Sequence, residues 1–311
     1  DRGRPARTAA AVLPDEGRAA APKISESAYW RLDGDGFFME QRHELYLVDV
    51  ASGATQKLYS GCPIARYTFD WAPDGTRIAL TRSFADRPWI DPVQDEIVLV
   101  TLDGASSVVP GLPAGEKADV RWSPDGARLA YIGSDDPNDH RTVENLSIFV
   151  CSVDGGGAKA LARDLDIDWT TSTLSDSSEP PPPLLQWRAD SKALYAQYAS
   201  RGEAQFVEID AQTGALLRKT EGHHVLGVNQ ARDGQAACLM SAPTTPPEVA
   251  LADLSGEVRR LTAFNKDLTE KVHFWSPTEF EIDTPDGHRL HAWKLIPNPE
   301  TDKRKAAILE I

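Results

Sequence analysis

A short phrase built around Asp-Gly recurs along the chain, and this repeat limits the fold more than any single residue does. The copies read Trp-Ala-Pro-Asp-Gly at 71–75, Trp-Ser-Pro-Asp-Gly at 122–126, Trp-Arg-Ala-Asp-Ser at 187–191 and Arg-Asp-Gly at 232–234. Their aspartates are separated by 51, 65 and 43 residues. This period is typical of propeller repeats rather than helical solenoids.

The phrase predicts the turn of a β-hairpin. Each of the first three copies is followed by an apolar segment of strand character, at Arg77–Thr81, Arg128–Ile132 and Ala193–Gln197. Pro-Asp-Gly between two strand patterns is a turn signal, because proline presets φ, aspartate bonds to the nearby backbone and glycine adopts a positive φ.

A second phrase alternates with the first and predicts a second hairpin in each period. It consists of an apolar strand, an aspartate, a glycine and another short strand, with copies that begin at Leu45, Ile97, Ile148, Phe206 and Val249. Two hairpins per period make one four-stranded sheet, which is the blade of a β-propeller. The predicted fold class is therefore all-β, a β-propeller of four-stranded blades.

The order of the phrases predicts the number of blades in the chain. One outer hairpin at about Leu45 to Tyr59 precedes four whole blades, which start near Arg66, Ala118, Leu184 and His224. A propeller needs its first and last blades to meet, because an open end leaves unpaired edges. We therefore expect residues 1–271 to form a propeller whose N-terminal blades precede Asp1, in a whole protein of about seven blades. In the alternative, Lys23 to Phe38 supplies part of an incomplete first blade.

Composition and charge exclude some functions. The 33 basic and 47 acidic side chains give a net charge of −14, which argues against nucleic acid and anionic membranes as partners. No apolar run approaches the roughly 20 residues that span a bilayer, and Ala9–Leu13 is too short for a secretory signal. The cysteines Cys62, Cys151 and Cys238 lack any paired spacing and are interpreted as structural thiols. We expect a cytoplasmic protein; a signal that precedes Asp1 is the alternative.

A search for catalytic and metal-binding motifs identifies none. No Gly-x-Ser-x-Gly elbow occurs. The pairs His223–His224 and His288–His291 do not form a metal motif, since the second pair is expected on opposite faces of a strand. The acidic segments Ser134–His140 and Asp33–Gly36 lack the spaced ligands of a calcium loop. We therefore predict no catalytic, cofactor-binding or metal-ligating residue in this chain, and no cofactor.

An insertion explains the longest interval between repeats. The segment from about Asp164 to Pro183 ends in the polyproline run Glu179–Pro183 and precedes the third whole blade. We interpret the run as a stiff connector. Long loops on one rim of a propeller are where recognition is expected.

The last forty residues break the repeat and carry the functional clue. Two strands are predicted about the turn at Asp286-Gly287, at Glu279–Ile282 and Leu290–Pro297, followed by a charged turn at 302–305 and an apolar strand at Ala306–Ile311. A strand of a buried sheet needs neighbours to satisfy its backbone. We therefore expect residues 272–311 to open a second domain.

With these blades and this exit segment, the chain resembles the prolyl oligopeptidase family of serine peptidases, in particular its acylaminoacyl-peptidase-like branch. The resemblance covers nearly the whole chain. It rests on Tyr29–Phe37 with His43–Asp49, on the Trp-x-Pro-Asp-Gly blades, on Arg259–Thr262, and on the exit segment from Asp286 to Pro297 and Ala306 to Ile311. TolB-like propellers share the blade phrase, so the exit segment is the more discriminating part.

The resemblance implies acyl transfer by a Ser, Asp and His triad between the propeller and an α/β-hydrolase domain. It implies that the propeller restricts access to short peptides or acylated N-terminal residues. A His-Gly-Gly-Pro turn and the triad are expected after Ile311, so this chain alone is expected to be inactive. Its partners would be its own catalytic domain and a short peptide substrate. The alternative is a stand-alone TolB- or WD40-like propeller that binds a protein or peptide; substrate preference and homo-oligomerisation stay open.

Overall fold

The computed structural model describes residues 31–32, 36–37, 43–61, 68–88, 90–138, 145–170, 185–222 and 225–296. The chain divides into two units, residues 1–41 and 42–311. In the first unit, strands β1 (Arg31–Leu32) and β2 (Gly36–Phe37) pair antiparallel. The rest of the segment 23–38, Cys62, the pair 223–224, the polyproline run and residues 297–311 lie outside the described residues.

The second unit contains one hairpin followed by four antiparallel sheets, each with its strands in chain order. The hairpin comprises β3 (Leu45–Val48) and β4 (Thr55–Tyr59). Blade 1 comprises β5 (Phe69–Trp71), β6 (Arg77–Ser83), β7 (Asp95–Thr101) and β8 (Ser106–Val108). Blade 2 comprises β9 (Lys117–Trp122), β10 (Arg128–Gly133), β11 (Ser147–Ser152) and β12 (Lys159–Leu161).

Blades 3 and 4 follow the same order. Blade 3 comprises β13 (Leu185–Trp187), β14 (Ala193–Ser200), β15 (Glu203–Asp210) and β16 (Leu216–Lys219). Blade 4 comprises β17 (Val225–Arg232), β18 (Gln235–Ala242), β19 (Thr245–Asp253) and β20 (Val258–Arg260). The predicted hairpin and four whole blades of a β-propeller are therefore confirmed.

Hydrophobic clusters lie between consecutive sheets, as the propeller requires. Within β10, Leu129 and Tyr131 pack toward blade 1, whereas Ala130 and Ile132 pack toward blade 3. This alternation follows from the period of two along a strand. Each cluster contains buried residues from two neighbouring sheets. Examples are Leu58 and Leu80, Ile97 and Tyr131, Ile148 and Leu194, and Phe206 and Ala250.

The turn chemistry predicted for the first phrase is also present. The carboxylate of Asp74 accepts from Thr76 N at 3.0 Å, and that of Asp125 accepts from Ala127 N at 3.0 Å. Gly75 and Gly126 have φ values of +69° and +72°. Glycine tolerates this left-handed conformation, and each turn therefore connects the first two strands of its blade without steric strain.

In blades 2 and 3, the tryptophan of the repeat contacts an arginine of the preceding blade. The Arg77 guanidinium lies 5.0 Å from the Trp122 ring, and the Arg128 guanidinium lies 4.9 Å from the Trp187 ring. The residue before each tryptophan position also bonds to the next blade. These hydrogen bonds run from Trp122 N to Asp70 Oδ2 (2.8 Å), from Arg121 Nε to Leu185 O (3.0 Å) and from Gln186 Nε2 to Ala231 O (2.8 Å).

The exit from blade 4 differs in part from the predictions. A helix that the sequence did not predict, α1 (Lys266–Lys271), precedes the hairpin of β21 (Thr278–Asp283) and β22 (Arg289–Lys294). The predicted second strand was too long. Pairing ends at Thr278 opposite Lys294, because Pro277 has no amide hydrogen to continue the ladder. Among the described residues, no helix has the length and hydropathy that a membrane crossing needs.

Candidate functional site

The two rims of the propeller differ in the length of their connections. Strands of a blade run alternately up and down, so the turns between first and second strands and between third and fourth strands share one rim. Those turns span at most six residues, at 153–158. The strands that the connections 84–94, 134–146 and 162–184 join end at the other rim, as does β20. Of these connections the structure describes 84–88, 90–94, 134–138, 145–146 and 162–170. We call this other rim the long-loop rim, and recognition is expected there.

A buried carboxylate anchors the exit from blade 4 at this rim. Glu248, on β19, is 3% exposed and accepts hydrogen bonds from Phe264 N at 2.9 Å, from Asn265 N at 2.8 Å and from the Thr262 hydroxyl. These donors, led by the Thr262 hydroxyl, lower the pKa of Glu248 to about 2. The carboxylate therefore fixes the chain where it leaves the last blade.

The exit hairpin of β21 and β22 lies against blade 3 through its polar face. Arg201 Nη2 is 2.7 Å from Glu281 Oε1. The Trp293 ring covers Gly202, such that a Cβ built on Gly202 would lie 2.4 Å from the ring. Arg201 and Gly202 form the turn between β14 and β15. This turn therefore positions the hairpin on the long-loop rim.

His291 is the histidine of the exit hairpin that makes side-chain contacts. Its Nε2 lies 3.3 Å from Glu279 Oε2, and its ring centroid lies 4.2 Å from that of Trp293. Its Nδ1 is buried without a hydrogen-bond partner. His288, expected in the same strand, lies in the turn instead and donates its backbone N–H to Thr284 Oγ1. The two histidines are therefore not brought together as a ligand pair.

The opposite face of the exit hairpin and the preceding linker expose apolar side chains. Phe280, Ile282 and Leu290 alternate with the polar residues and are all exposed. In the described chain, eleven of 22 exposed large apolar side chains fall between residues 261 and 296. The others in this segment are Leu261, Phe264, Leu268, Val272, Trp275, Trp293, Leu295 and Ile296. Such a concentration marks an interaction surface.

Asp135, in the acidic segment that begins at Ser134, forms an ion pair. Asp135 forms a bidentate pair with Arg163, one arm of which measures 2.8 Å. The pair lies at a cleft of about 610 Å³ between blades 1 and 2, whose apolar lining includes Leu112 and Phe149. Among the described residues, no group of three or more His, Cys, Asp or Glu side chains is arranged to hold a metal ion.

The first strand of blade 2 contacts the first strands of blades 1 and 3, and these strands carry a polar cluster. Asp119, on β9, has a left-handed backbone (φ +51°), and its Oδ1 lies 2.5 Å from Arg121 Nη2. Its Oδ2 is buried without a partner. Burial raises the pKa of Asp119 to about 6, and the neighbouring Asp70 adds to this effect, while Arg121 opposes it. The sequence did not single out these residues, because no motif marks them.

Two of the three cysteines lie in the described chain, and both are buried. Cys151 and Cys238 are free thiols, and burial raises the pKa of each to about 11. A thiol of high pKa is a poor nucleophile. This agrees with their interpretation as structural residues of blades 2 and 4.

Comparisons with known proteins connect this geometry to a family. Dipeptidyl-peptidase 5 of Porphyromonas gingivalis is 22% identical over 240 residues, which cover 76% of this chain and 33% of that protein. The peptidase YuxL of Bacillus subtilis, itself uncharacterised, is 29% identical over 199 residues, which cover 63% of this chain and 26% of that protein. The homologues of the chain are peptidases of the prolyl oligopeptidase family. No family model matches the chain.

A solved structure supports the propeller fold of the chain. Acylaminoacyl peptidase of Pyrococcus horikoshii superposes with a TM-score of 0.65 at 18% identity, over 91% of this chain and 41% of that one. The chain spans a third or less of the length of the curated relatives that it matches. The chain is thus a peptidase-related propeller. The resemblance to the prolyl oligopeptidase family that the sequence predicted is confirmed.

Proposed function

We propose that the chain is the substrate-gating propeller of a serine peptidase that hydrolyses short peptides or acylated N-terminal residues. In this proposal, residues 272–311 lead into an α/β-hydrolase domain that supplies the Ser, Asp and His triad. The catalytic domain covers the long-loop rim, and the propeller limits access to substrates small enough to pass. Its partners are this catalytic domain and a short peptide; the negative net charge favours neither nucleic acid nor an anionic membrane.

The observation that carries the proposal is the exposed apolar surface of the exit segment. Apolar surface favours burial at roughly 25 cal/mol per Å², and the Phe280, Ile282 and Leu290 face is a ready docking surface for a following domain. The strands that the long connections join end at the same rim, whereas the turns described at the opposite rim are tight. The homologous peptidases support the chemistry assigned to the whole protein.

The test uses the polypeptide encoded from Asp1 through the first in-frame stop codon, with residues 1–311 expressed separately as the matched control. We expect the encoded protein to react with a fluorophosphonate probe and to hydrolyse acyl-alanine p-nitroanilide. The 1–311 control should do neither.

Two results would reject the proposal. An encoded protein that never reacts with the probe would leave a stand-alone binding propeller as the better interpretation. Probe-sensitive turnover by the 1–311 control would place the nucleophile inside the chain. Peptides of increasing length then test the gating role, since we expect turnover to fall once a substrate is too large to pass the propeller.

A further inference from the structure

The attachment of the exit hairpin to blade 3 depends on few side chains. The linker between blade 4 and the hairpin adds little packing, because none of the residues of α1 is buried. Leu268, in α1, and Val272, which caps it, are both exposed. The contacts that orient the hairpin therefore lie at the Arg201–Gly202 turn.

The geometry points to a latch in which Trp293 closes on Gly202 and thereby sets the direction in which the chain leaves the propeller. This inference rests on the proposed function in one respect: the segment that the latch holds is the one proposed to lead into the catalytic domain. The latch itself is a property of residues 1–311 and can be tested without that domain.

Gly202 meets two requirements that other residues do not meet together. Its φ is +74°, in the left-handed region, and Arg201 before it has a φ of +51°. Two consecutive positive φ values are typical of a two-residue hairpin turn of type I′. A Cβ at position 202 would also lie 2.4 and 2.5 Å from two carbons of the Trp293 ring. A side chain at this position would therefore displace the indole.

The tryptophan contributes more to the attachment than the neighbouring ion pair does. The side chains of Arg201 and Glu281 are 62% and 37% exposed, and an exposed pair contributes only about 0.2–1 kcal/mol. Glu281 is in addition shared with Arg289 at 3.2 Å. The Trp293 ring instead packs on the glycine backbone and against His291. Salt should therefore release the hairpin far less than removal of the indole does.

The latch can be tested by amide hydrogen exchange of the full chain with Trp293→Ala, Gly202→Ala and the double substitution. We expect Trp293→Ala to speed exchange of the β21 and β22 amides by at least about tenfold, with blade 4 unchanged as the folding control. Gly202→Ala should do the same, because its Cβ displaces the ring. In the Trp293→Ala background, Gly202→Ala should add nothing in the hairpin, since the indole is already gone.

Gly287→Ala is the matched control for backbone strain. Gly287 also has a positive φ (+89°), but a Cβ there meets nothing within 4 Å. The effect of Gly287→Ala on hydrogen exchange in the hairpin should therefore add fully to the effect of Trp293→Ala. Raising salt to 0.5 M should change hairpin exchange by less than about threefold.

The inference is overturned if Trp293→Ala leaves hairpin exchange unchanged, or if the effects of Gly202→Ala and Trp293→Ala simply add. Both outcomes are read on residues 1–311 alone. They are therefore independent of whether the encoded protein reacts with a fluorophosphonate, which tests the proposed function.

Discussion

Ser191 stands where the first two blades have glycine, and its backbone keeps the left-handed conformation (φ +61°). Its hydroxyl accepts from Asp125 N of blade 2 at 3.0 Å. We predict that Ser191→Ala lowers the free energy of unfolding by about 1–2 kcal/mol, because it leaves a backbone donor unpaired and keeps the strain. Ser191→Gly should cost about 1 kcal/mol less than Ser191→Ala, since glycine relieves the strain.

Urea unfolding of the two Ser191 variants beside the parent chain measures this difference. Equal losses for alanine and glycine would show that the left-handed backbone at this turn carries no strain. No loss for either would show that the bond to blade 2 contributes nothing to stability.

Asp119 makes stability depend on pH in an unusual direction. Its pKa is about 6 in the folded protein, above the ordinary 3.8, so the folded state holds the proton more tightly than the unfolded state does. Relative to higher pH, protonated Asp119 stabilises the folded state below pH 4, and this stabilisation is lost as the pH rises through 6. We predict that Asp119→Asn raises the free energy of unfolding by about 1–2 kcal/mol at pH 7.

Urea unfolding at pH 4 and pH 7 tests this prediction, with the exposed Asp86→Asn as the control. The gain at pH 7 should vanish at pH 4, where Asp119 is protonated. A gain that is equal at both pH values would contradict the assigned pKa, and a loss at pH 7 would show that the pair with Arg121 outweighs burial.

At the scale of the blades, Gln186 illustrates how neighbouring sheets are joined where the tryptophan of the repeat is missing. Its amide donates to Ala231 O at 2.8 Å and accepts from Ala231 N at 3.1 Å. We predict that Gln186→Ala lowers the free energy of unfolding by about 2 kcal/mol, because both backbone groups lose their partner. Gln186→Glu should cost less, since one carboxylate oxygen still accepts from Ala231 N.

Thermal and urea unfolding of both Gln186 variants check the order of the losses. If alanine costs no more than glutamate, water replaces the amide and the bond does not join the blades.

The blades could be predicted from the sequence because their signals are local. Pro124, Asp125 and Gly126 determine a turn with their own backbone and side chains, so the hairpins follow without knowledge of the rest of the fold. The helix α1 could not be predicted in this way. It has six residues, none of them buried, and its N-cap Asn265 makes no side-chain capping bond. Neither an apolar period nor a cap therefore marks it.

The candidate site was predicted only in outline, for a related reason. The exit strands were recognisable on either side of the turn at Asp286-Gly287, and long loops on one rim were the expected place of recognition. The contact of Trp293 with Gly202 was not, because it joins residues far apart in sequence, and an isolated glycine after Arg201 reads as a turn residue alone. The buried environment of Asp119 likewise depends on packing between blades and leaves no pattern in the sequence.

For the molecule as a whole, the exposed apolar face of the exit hairpin predicts self-association of residues 1–311. We expect Leu290→Lys to shift the chain toward monomer at high protein concentration, because it places a charge on that face. Its free energy of unfolding should change by less than about 0.5 kcal/mol, since Leu290 is 52% exposed.

Sedimentation velocity over a range of concentrations measures the effect, with Val50→Lys as the control. Val50 is 98% exposed but lies outside the exit segment, so its substitution should leave association unchanged. If both substitutions act alike, net charge rather than the hairpin face controls association. If neither substitution changes association, the apolar face of the hairpin does not mediate self-association in solution.

The difference between the two rims allows the protein to be attached to a surface in a single orientation. The tight turns at 72–76, 123–127 and 188–192 share one rim, and their backbones are held by their own aspartates. A biotin attached through a Thr76→Cys substitution, for example, would tether the protein to a surface in one orientation, since position 76 is exposed. Every molecule in such a layer would present its long connections and its exit hairpin to the solution. Binding of peptides, or of a separately expressed catalytic domain, could then be recorded on a uniformly oriented film.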